Sequence, residues 1–505
     1  MFSRRHLPFQ IFILAFVAAM FFPRVLPEGM FPDGLTYASI ARNMAEGRGS
    51  FWLPYFSSSF WIPFQGNEYA FYGHPPLAMG ILSLFFRIFG DHWFIEKGFS
   101  ILILGITLWL VLKLWQVNAK DKTLWWLPIY VWYVMPVVLW AYPVFLLDNT
   151  MAVFSLSAAL LILRGVKKSM VSSKLSSASS PSSFIIHSSY LIIAGLLLHL
   201  AFLTKGPVGL YPLAMPLIYG LFFKEKTTLR LAILQTTVMS MTCFGTLVLW
   251  YLYEPARFFW TKYIDIQLIS SISDNDQTGN YAWTDYFSIP QSLLLQCLPM
   301  LGVVLIFFVF SKIKKSSFVF ETESNRLAAF YLTVALSGSL PMMISHKTSG
   351  FYLIPCLPFL AIAFATFFEP TMVVWFEKFK ISPLKTQNAL KSMVFIAACV
   401  AVYSFLQIGK IARERDIIES MKILRGVVSD GTKVVVSDSM MQNFNYHAYF
   451  QRYHRWELAK LSDTTAHFLI ASKDLCRPTE LDSVNLLFEK IKLNNNSVLQ
   501  VYKRK

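Results

Sequence analysis

Long apolar runs separated by short polar connectors recur along most of this chain. They predict crossing helices at roughly 7–23, 93–115, 124–141, 145–163, 189–204, 208–223, 230–252, 290–310, 326–344, 350–368 and 392–408, about eleven in all. A shorter apolar run, Pro75–Gly90, carries Arg87 and reads as a surface or re-entrant helix. After about residue 409 the pattern changes. "TKVVVSD", "AHFLIAS" and "SVLQVYK" read as short strands, and "SVNLLFEKIKL" as a helix between the last two. The expected architecture is therefore an α-helical polytopic membrane domain, residues 1–408, followed by a small α/β domain, residues 409–505.

Composition agrees. The 505 residues are 55% hydrophobic and only 15% charged, against about 25% charged in ordinary globular chains. The formal net charge of +16 would suggest nucleic acid in a soluble protein. Here the cations cluster in short connectors, so topology and anionic headgroups account for them, and nucleic acid is not an expected partner. The five cysteines, four of them in apolar segments, have no metal-like spacing and imply no structural disulfide. The basic start with Arg4 and Arg5 leads into an apolar run without a clear small-residue cleavage site, and reads as a retained first span.

Charge also orients the chain. If Pro75–Gly90 does not cross, the clusters around Lys113–Lys122, Arg164–Lys174, Lys224–Arg230, Lys312–Lys315 and Lys378–Lys391 all face the cytoplasm, as the positive-inside rule prefers. Residues 24–92 and 253–289 then become outer loops, and the C-terminal domain is extracytoplasmic. The Ser-rich "SMVSSKLSSASSPSSFIIHSS" is expected to be a flexible cytoplasmic linker.

Against that topology a few polar residues stand out. "FPDGLTYASIARNMAEG" carries a lone Asp33 and then a helix-like run with Tyr37, Ile40, Ala41 and Met44 on one face. An N-cap role for Asp33 and a chemical role both fit this pattern. Asp148 lies at the mouth of a span, where it can cap the next helix. Lys205 in "AFLTKGPVGLYPLAMP" and Lys347 in "ISHKTSGFYLIPC" stand at outer ends, against the charge bias. Such lysines commonly snorkel. Both, however, sit beside turn residues whose backbone N–H groups can help hold an anion. Glu68, Tyr72 and His74 fall in the first outer loop, and His346 and Tyr352 flank the Lys347 turn. No nucleotide-binding motif and no metal-ligand spacing appears.

Five motifs, in order, carry a resemblance: "PDGLTYASIARNMAEG", "FYGHPPLAMGILSLFFRIFG", "LLDNTMAVF", "FLTKGPVGLYPLAMP" and "HKTSGFYLIPCLPFLAI". Together, over about residues 10–370, they resemble the bacterial lipid-linked-sugar glycosyltransferases related to lipid A aminoarabinose transferase and to the protein O-mannosyltransferases. These have the C-type glycosyltransferase fold. The resemblance implies a catalytic acid at Asp33 and a second acid at Asp148. It implies donor-phosphate contacts at Lys205 and Lys347, with His74 and Arg42 as further candidates. Glu68, Tyr72, His346 and Tyr352 are candidates for contacts to the acceptor or sugar. Two departures stand out: Gly34 replaces the Glu that follows the Asp in many members, and His74 replaces a Lys before the paired prolines.

The implied activity moves a sugar from a polyprenyl-phosphate donor to a lipid, glycan or protein acceptor on the outer face of the inner (plasma) membrane. The sequence shows no cofactor-ligand set, and a divalent cation held by Asp33 and Asp148 stays open. A lipid flippase or transporter would instead carry ionisable residues in mid-span and symmetric halves, and a glycan ligase or polymerase would share the outer loops.

Overall fold

The computed structural model describes residues 6–59, 70–175, 181–225, 227–270, 286–314, 318–345, 349–378, 383–472, 487–492 and 497–505. The chain forms two compact units. The first comprises Met1–Pro23, Ser100–Pro143 and Leu147–Phe405; the second comprises Arg24–Phe99, Val144–Leu146 and Leu406–Lys505. The second unit thus groups the C-terminal region with the segment after the first span, a division other than a single cut near residue 408.

Among the described residues, eight helices are long and apolar enough to cross a membrane: Leu7–Val25, Ile95–Asn118, Leu147–Lys168, Leu229–Tyr251, Ser288–Val309, Thr322–Ile344, Leu357–Glu377 and Gln387–Phe405. At 1.5 Å per residue, helices of 19 to 24 residues reach roughly 28–36 Å, the thickness of the hydrocarbon core. The protein is a multi-pass membrane protein. The other three expected spans are shorter or interrupted. The 124–141 run divides into Trp126–Tyr133 and Pro136–Ala141. Pro136 has no N–H to donate and starts a new helix instead of continuing the old one. The 208–223 run opens as a 3₁₀ segment, Pro207–Ala214, before the helix Met215–Phe222. The 189–204 run is the last part of the helix Pro181–Lys205. Its partner is Leu147–Leu175. The expected flexible linker between them is helical up to Leu175 and again from Pro181. Serine and lysine extend a helix at modest cost, and a proline at the first position has no N–H bond to lose.

Close approach holds the first unit together. A Cβ on Gly195 would collide with Met239 O and Thr242 Cβ on the neighbouring Leu229–Tyr251 helix. This is the small-residue contact that lets membrane helices pack without a hydrophobic driving force.

In the second unit a five-stranded sheet runs β2-β1-β3-β5-β4. The strands are β1 (Lys433–Val436), β2 (Glu457–Ala459), β3 (Phe468–Ser472), β4 (Phe488–Lys490) and β5 (Leu499–Arg504). β1 lies parallel to β2 and β3, while β5 is antiparallel to β3 and β4. Val434, Val435 and Val436 are fully buried, as suits a parallel central strand. β1, β3 and β5 are the three expected strands. Of the expected helix over "SVNLLFEKIKL", residues 483–486 and 493 lie outside the described residues, and the described part is a correction: Phe488–Lys490 is an edge strand, with Phe488 buried and the two residues after it exposed. The Pro75–Gly90 run forms the helix Leu77–Phe89, whose 13 residues span about 20 Å, short of a bilayer.

Ion pairs and backbone bonds tie the distant parts of this unit together. Glu28 N donates to Lys410 O at 2.7 Å, and Ala412 N donates to Glu28 O at 2.9 Å. Gly29, at φ +88°, lies against the Arg413 backbone where no Cβ fits. Arg452 binds Glu96 and Asp91, and Arg455 binds Asp91 and Glu46.

Candidate active site

The candidate residues lie in both units, and each group has its own geometry. In the first unit, Asp148 occupies the first turn of Leu147–Leu175, and Lys205 is the last residue of Pro181–Lys205. The antiparallel pairing of these helices brings residues 57 apart in sequence into contact. Lys205 Nζ donates to Asp148 Oδ2 at 2.5 Å, with the side chains 6% and 1% exposed. The ammonium also lies 4.2 Å from the ring centre of Tyr352 and 5.0 Å from that of Phe351. A cation held by two aromatic rings and a carboxylate is fixed in place while keeping donors for a second anion. Asp148 Oδ1 is buried and has no hydrogen-bond partner among the described residues.

The backbone around Lys205 is specified by its neighbours. Gly206 has φ +90°, and a Cβ there would run into Tyr263 Oη. This glycine ends the helix and lets the chain turn directly into Pro207. Ser155 Oγ donates to Gly209 O at 2.9 Å, pinning the following 3₁₀ segment to the Asp148 helix. Tyr211 Oη donates to Pro355 O at 2.6 Å, fixing that segment to the stretch after Tyr352.

In the second unit, Asp33 is not the N-cap. Phe31 is the cap residue and makes no side-chain cap bond, and Asp33 falls in the first turn of Pro32–Ala45. Its carboxylate there complements the positive end of the helix. The N-cap position expected of this acid is thus held by Phe31. Thr36, one turn on, is 2% exposed, and its hydroxyl has no partner among the described residues. Tyr37 packs edge-on against His74 at 5.8 Å and against Phe71 at 6.3 Å between ring centres. The departure at Gly34 has a packing reason, because a Cβ there would sit 2.8 Å from Met30 Sδ and 2.9 Å from Val144 Cγ1.

Arg42 has a different place from the one expected of a phosphate ligand. It is 1% exposed and donates to Gln451 O at 2.9 Å, Arg452 O at 3.2 Å and Asn43 Oδ1 at 2.9 Å. Burial, with Arg452 close by, lowers its pKa, and Asp91 opposes that shift. Its guanidinium clamps two elements of the unit and is committed to the protein. Tyr72 is fully buried, while His74 is half-buried. Glu68, His346 and Lys347 lie outside the described residues.

The structure thus unites Asp148, Lys205 and Tyr352. Phe351 and Tyr263 complete their surroundings. Phe351 adjoins Tyr352 in the motif already singled out, but nothing in the sequence around Tyr263 marks it. Among the described residues, no group of three His, Cys, Asp or Glu side chains converges to hold a metal.

No protein-family model matches the chain. No curated protein sequence matches it either. Solved structures do. The chain is similar to ArnT from Cupriavidus metallidurans bound to undecaprenyl phosphate, with 13% identity, a TM-score of 0.58, and coverage of 98% of this chain and 97% of that one. It is similar to the same protein in the apo state, with 14% identity, a TM-score of 0.59 and the same coverage. The likeness runs nearly end to end and shows the fold, that of the C-type glycosyltransferases.

Proposed function

We propose that this chain is an integral-membrane glycosyltransferase. It moves a sugar from a polyprenyl-phosphate donor to a lipid, glycan or protein hydroxyl outside the cytoplasm, at the inner (plasma) membrane. The observation that carries the reading is the buried Lys205 ammonium, paired with Asp148 beside Tyr352, in a chain of this fold. A buried ion pair is weak evidence for stability, since apolar residues of similar size fill such a place as well or better. Its presence calls for chemistry. The undecaprenyl phosphate bound by ArnT supports the donor class.

Each residue has one task. Asp33 accepts the proton of the acceptor hydroxyl as that oxygen attacks the sugar carbon. The carbon passes through an oxocarbenium-like state, and the bond to the phosphate oxygen breaks. Lys205 and Lys347 stabilise the departing phosphate, where fixed cations act strongly because water is scarce. Asp148 is a positioning residue that orients Lys205. A single displacement inverts the anomeric centre. The Lys- and Arg-rich connectors face the cytoplasm on this reading, which sets the chemistry on the opposite side.

The test is turnover of a polyprenyl-phosphate monosaccharide by Asp33→Asn, with folding followed separately. Asn preserves size and polarity but takes no proton, so transfer should fall about 10²-fold or more. Near-normal turnover would remove Asp33 from the mechanism. Mass spectrometry of glycolipids and glycoproteins from a deletion strain identifies the acceptor.

A further inference from the structure

Five cations line an open cavity of about 500 Å³ in the first unit: Lys113, Lys122, Arg164, Lys167 and Lys168, joined by Tyr190. It sits at the other end of the helix pair that holds Asp148 and Lys205. Lys168 lies 20 residues along from Asp148 in one helix, or about 30 Å at 1.5 Å per residue. Tyr190 lies 15 residues before Lys205 in the other.

The cluster is built. Lys168 Nζ donates to Tyr190 Oη at 2.9 Å and lies 4.9 Å from its ring centre. Lys167 Nζ donates to Val117 O. No carboxylate is among the lining residues. Two other cations of the unit are neutralised, Lys120 by Glu321 and Arg326 by Glu225 at 2.8 Å. Charge bias alone puts lysines on a membrane face, but it does not gather five around one cavity and leave carboxylates out.

The surroundings name the chemistry of the anion. One turn before Lys113, Trp109 is 52% exposed; just past Tyr190, Ile192 and Ile193 are 43% and 49% exposed. An apolar surface therefore borders the cationic cavity on two helices. We propose that this cavity binds the phosphodiester headgroup of an anionic phospholipid, its acyl chains lying on Trp109 and on Ile192 and Ile193. Basic pockets between membrane helices suit such headgroups. A free phosphate would use the cations and ignore the apolar border. The site is separate from the donor-phosphate reading and does not depend on it.

The experiment titrates the purified full-length protein, in neutral detergent, with short-chain phosphatidylglycerol, short-chain phosphatidylcholine and inorganic phosphate, read by native mass spectrometry. Phosphatidylglycerol should bind at least ten-fold more tightly than either of the others. The variant Lys113→Gln/Arg164→Gln/Lys168→Gln should lose at least ten-fold in phosphatidylglycerol affinity. Lys312→Gln/Lys391→Gln, with the same change of sign but away from the cavity, should stay within two-fold. Lys168→Gln alone replaces an exposed side chain, leaves folding intact, and should lose about three-fold. An equal loss in the Lys312/Lys391 variant, or unchanged binding in the triple and single variants, overturns the site. Inorganic phosphate displacing the lipid at equal concentration overturns the lipid as its occupant.

Discussion

Removing one partner of the Asp148–Lys205 pair should do two separable things. The ions are 2.5 Å apart and almost wholly buried. Two unit charges about 4 Å apart, centre to centre, attract by about 4 kcal/mol at an effective dielectric constant near 20. Lys205→Met leaves the Asp148 carboxylate buried without its counter-ion. Asp148→Asn leaves the Lys205 ammonium in the same state. Each should destabilise the protein by about 3–5 kcal/mol. The double variant Asp148→Asn/Lys205→Met removes both charges and puts similar volumes back. It should recover most of that loss, ending within about 2 kcal/mol of the parent, which gives a coupling energy of about 3 kcal/mol or more.

Function should not recover with it. A charge-assisted contact to phosphate contributes about 1.5–3 kcal/mol, so the double variant should bind a polyprenyl phosphate about ten-fold more weakly or worse. The assay pairs thermal unfolding in detergent with polyprenyl-phosphate binding across the four members of the cycle. Additive destabilisation would refute the coupling. A double variant that regains stability and full phosphate affinity would make the pair purely structural.

Gly206→Ala should lower transfer about ten-fold or more, because the left-handed backbone and Tyr263 both reject a Cβ; wild-type turnover with an unchanged melting temperature would contradict the turn's role. Single cysteines at Thr464 and Lys391, both exposed, should differ under an impermeant thiol reagent applied to whole cells, the first labelling and the second not; the reverse pattern would invert the proposed topology. His447 is almost wholly buried, and burial pulls its pKa down to about 4 from 6.5, while Met441 O, which accepts a hydrogen bond from Nε2, opposes the shift. The unfolded chain binds the proton first, so the contribution is complete above about pH 6.5 and is lost as pH falls toward 4. The loss approaches about 3 kcal/mol. His447→Gln should flatten the melting temperature between pH 7 and 5; an unchanged slope would assign it elsewhere.

The long spans were legible because bilayer thickness writes itself into sequence as uninterrupted apolar length. Two expected spans, 124–141 and 208–223, are interrupted for a local reason that hydropathy does not weigh. Pro136, Pro207 and Pro212 remove N–H groups inside otherwise apolar runs, and a sum over side chains cannot see a missing backbone donor. β2 and β4 have only three residues each, too few for alternation to show. At the candidate site, Asp148 and Lys205 each stood out as a polar residue in the wrong place. Their pairing did not, because it depends on the antiparallel packing of two helices whose connector gives no sign of its geometry.

Arg42 and Gly34 show the complementary point within one helix. Neighbours in sequence define neither of them. Arg42 is defined by Gln451 and Arg452, about four hundred residues downstream, whose carbonyls take the donors a phosphate would need. Gly34 is defined by Met30 and Val144, whose side chains a Cβ there would meet at 2.8 and 2.9 Å. In this helix the surrounding packing leaves Asp33 the only carboxylate before Glu46, so any proton transfer asked of the helix falls to it alone.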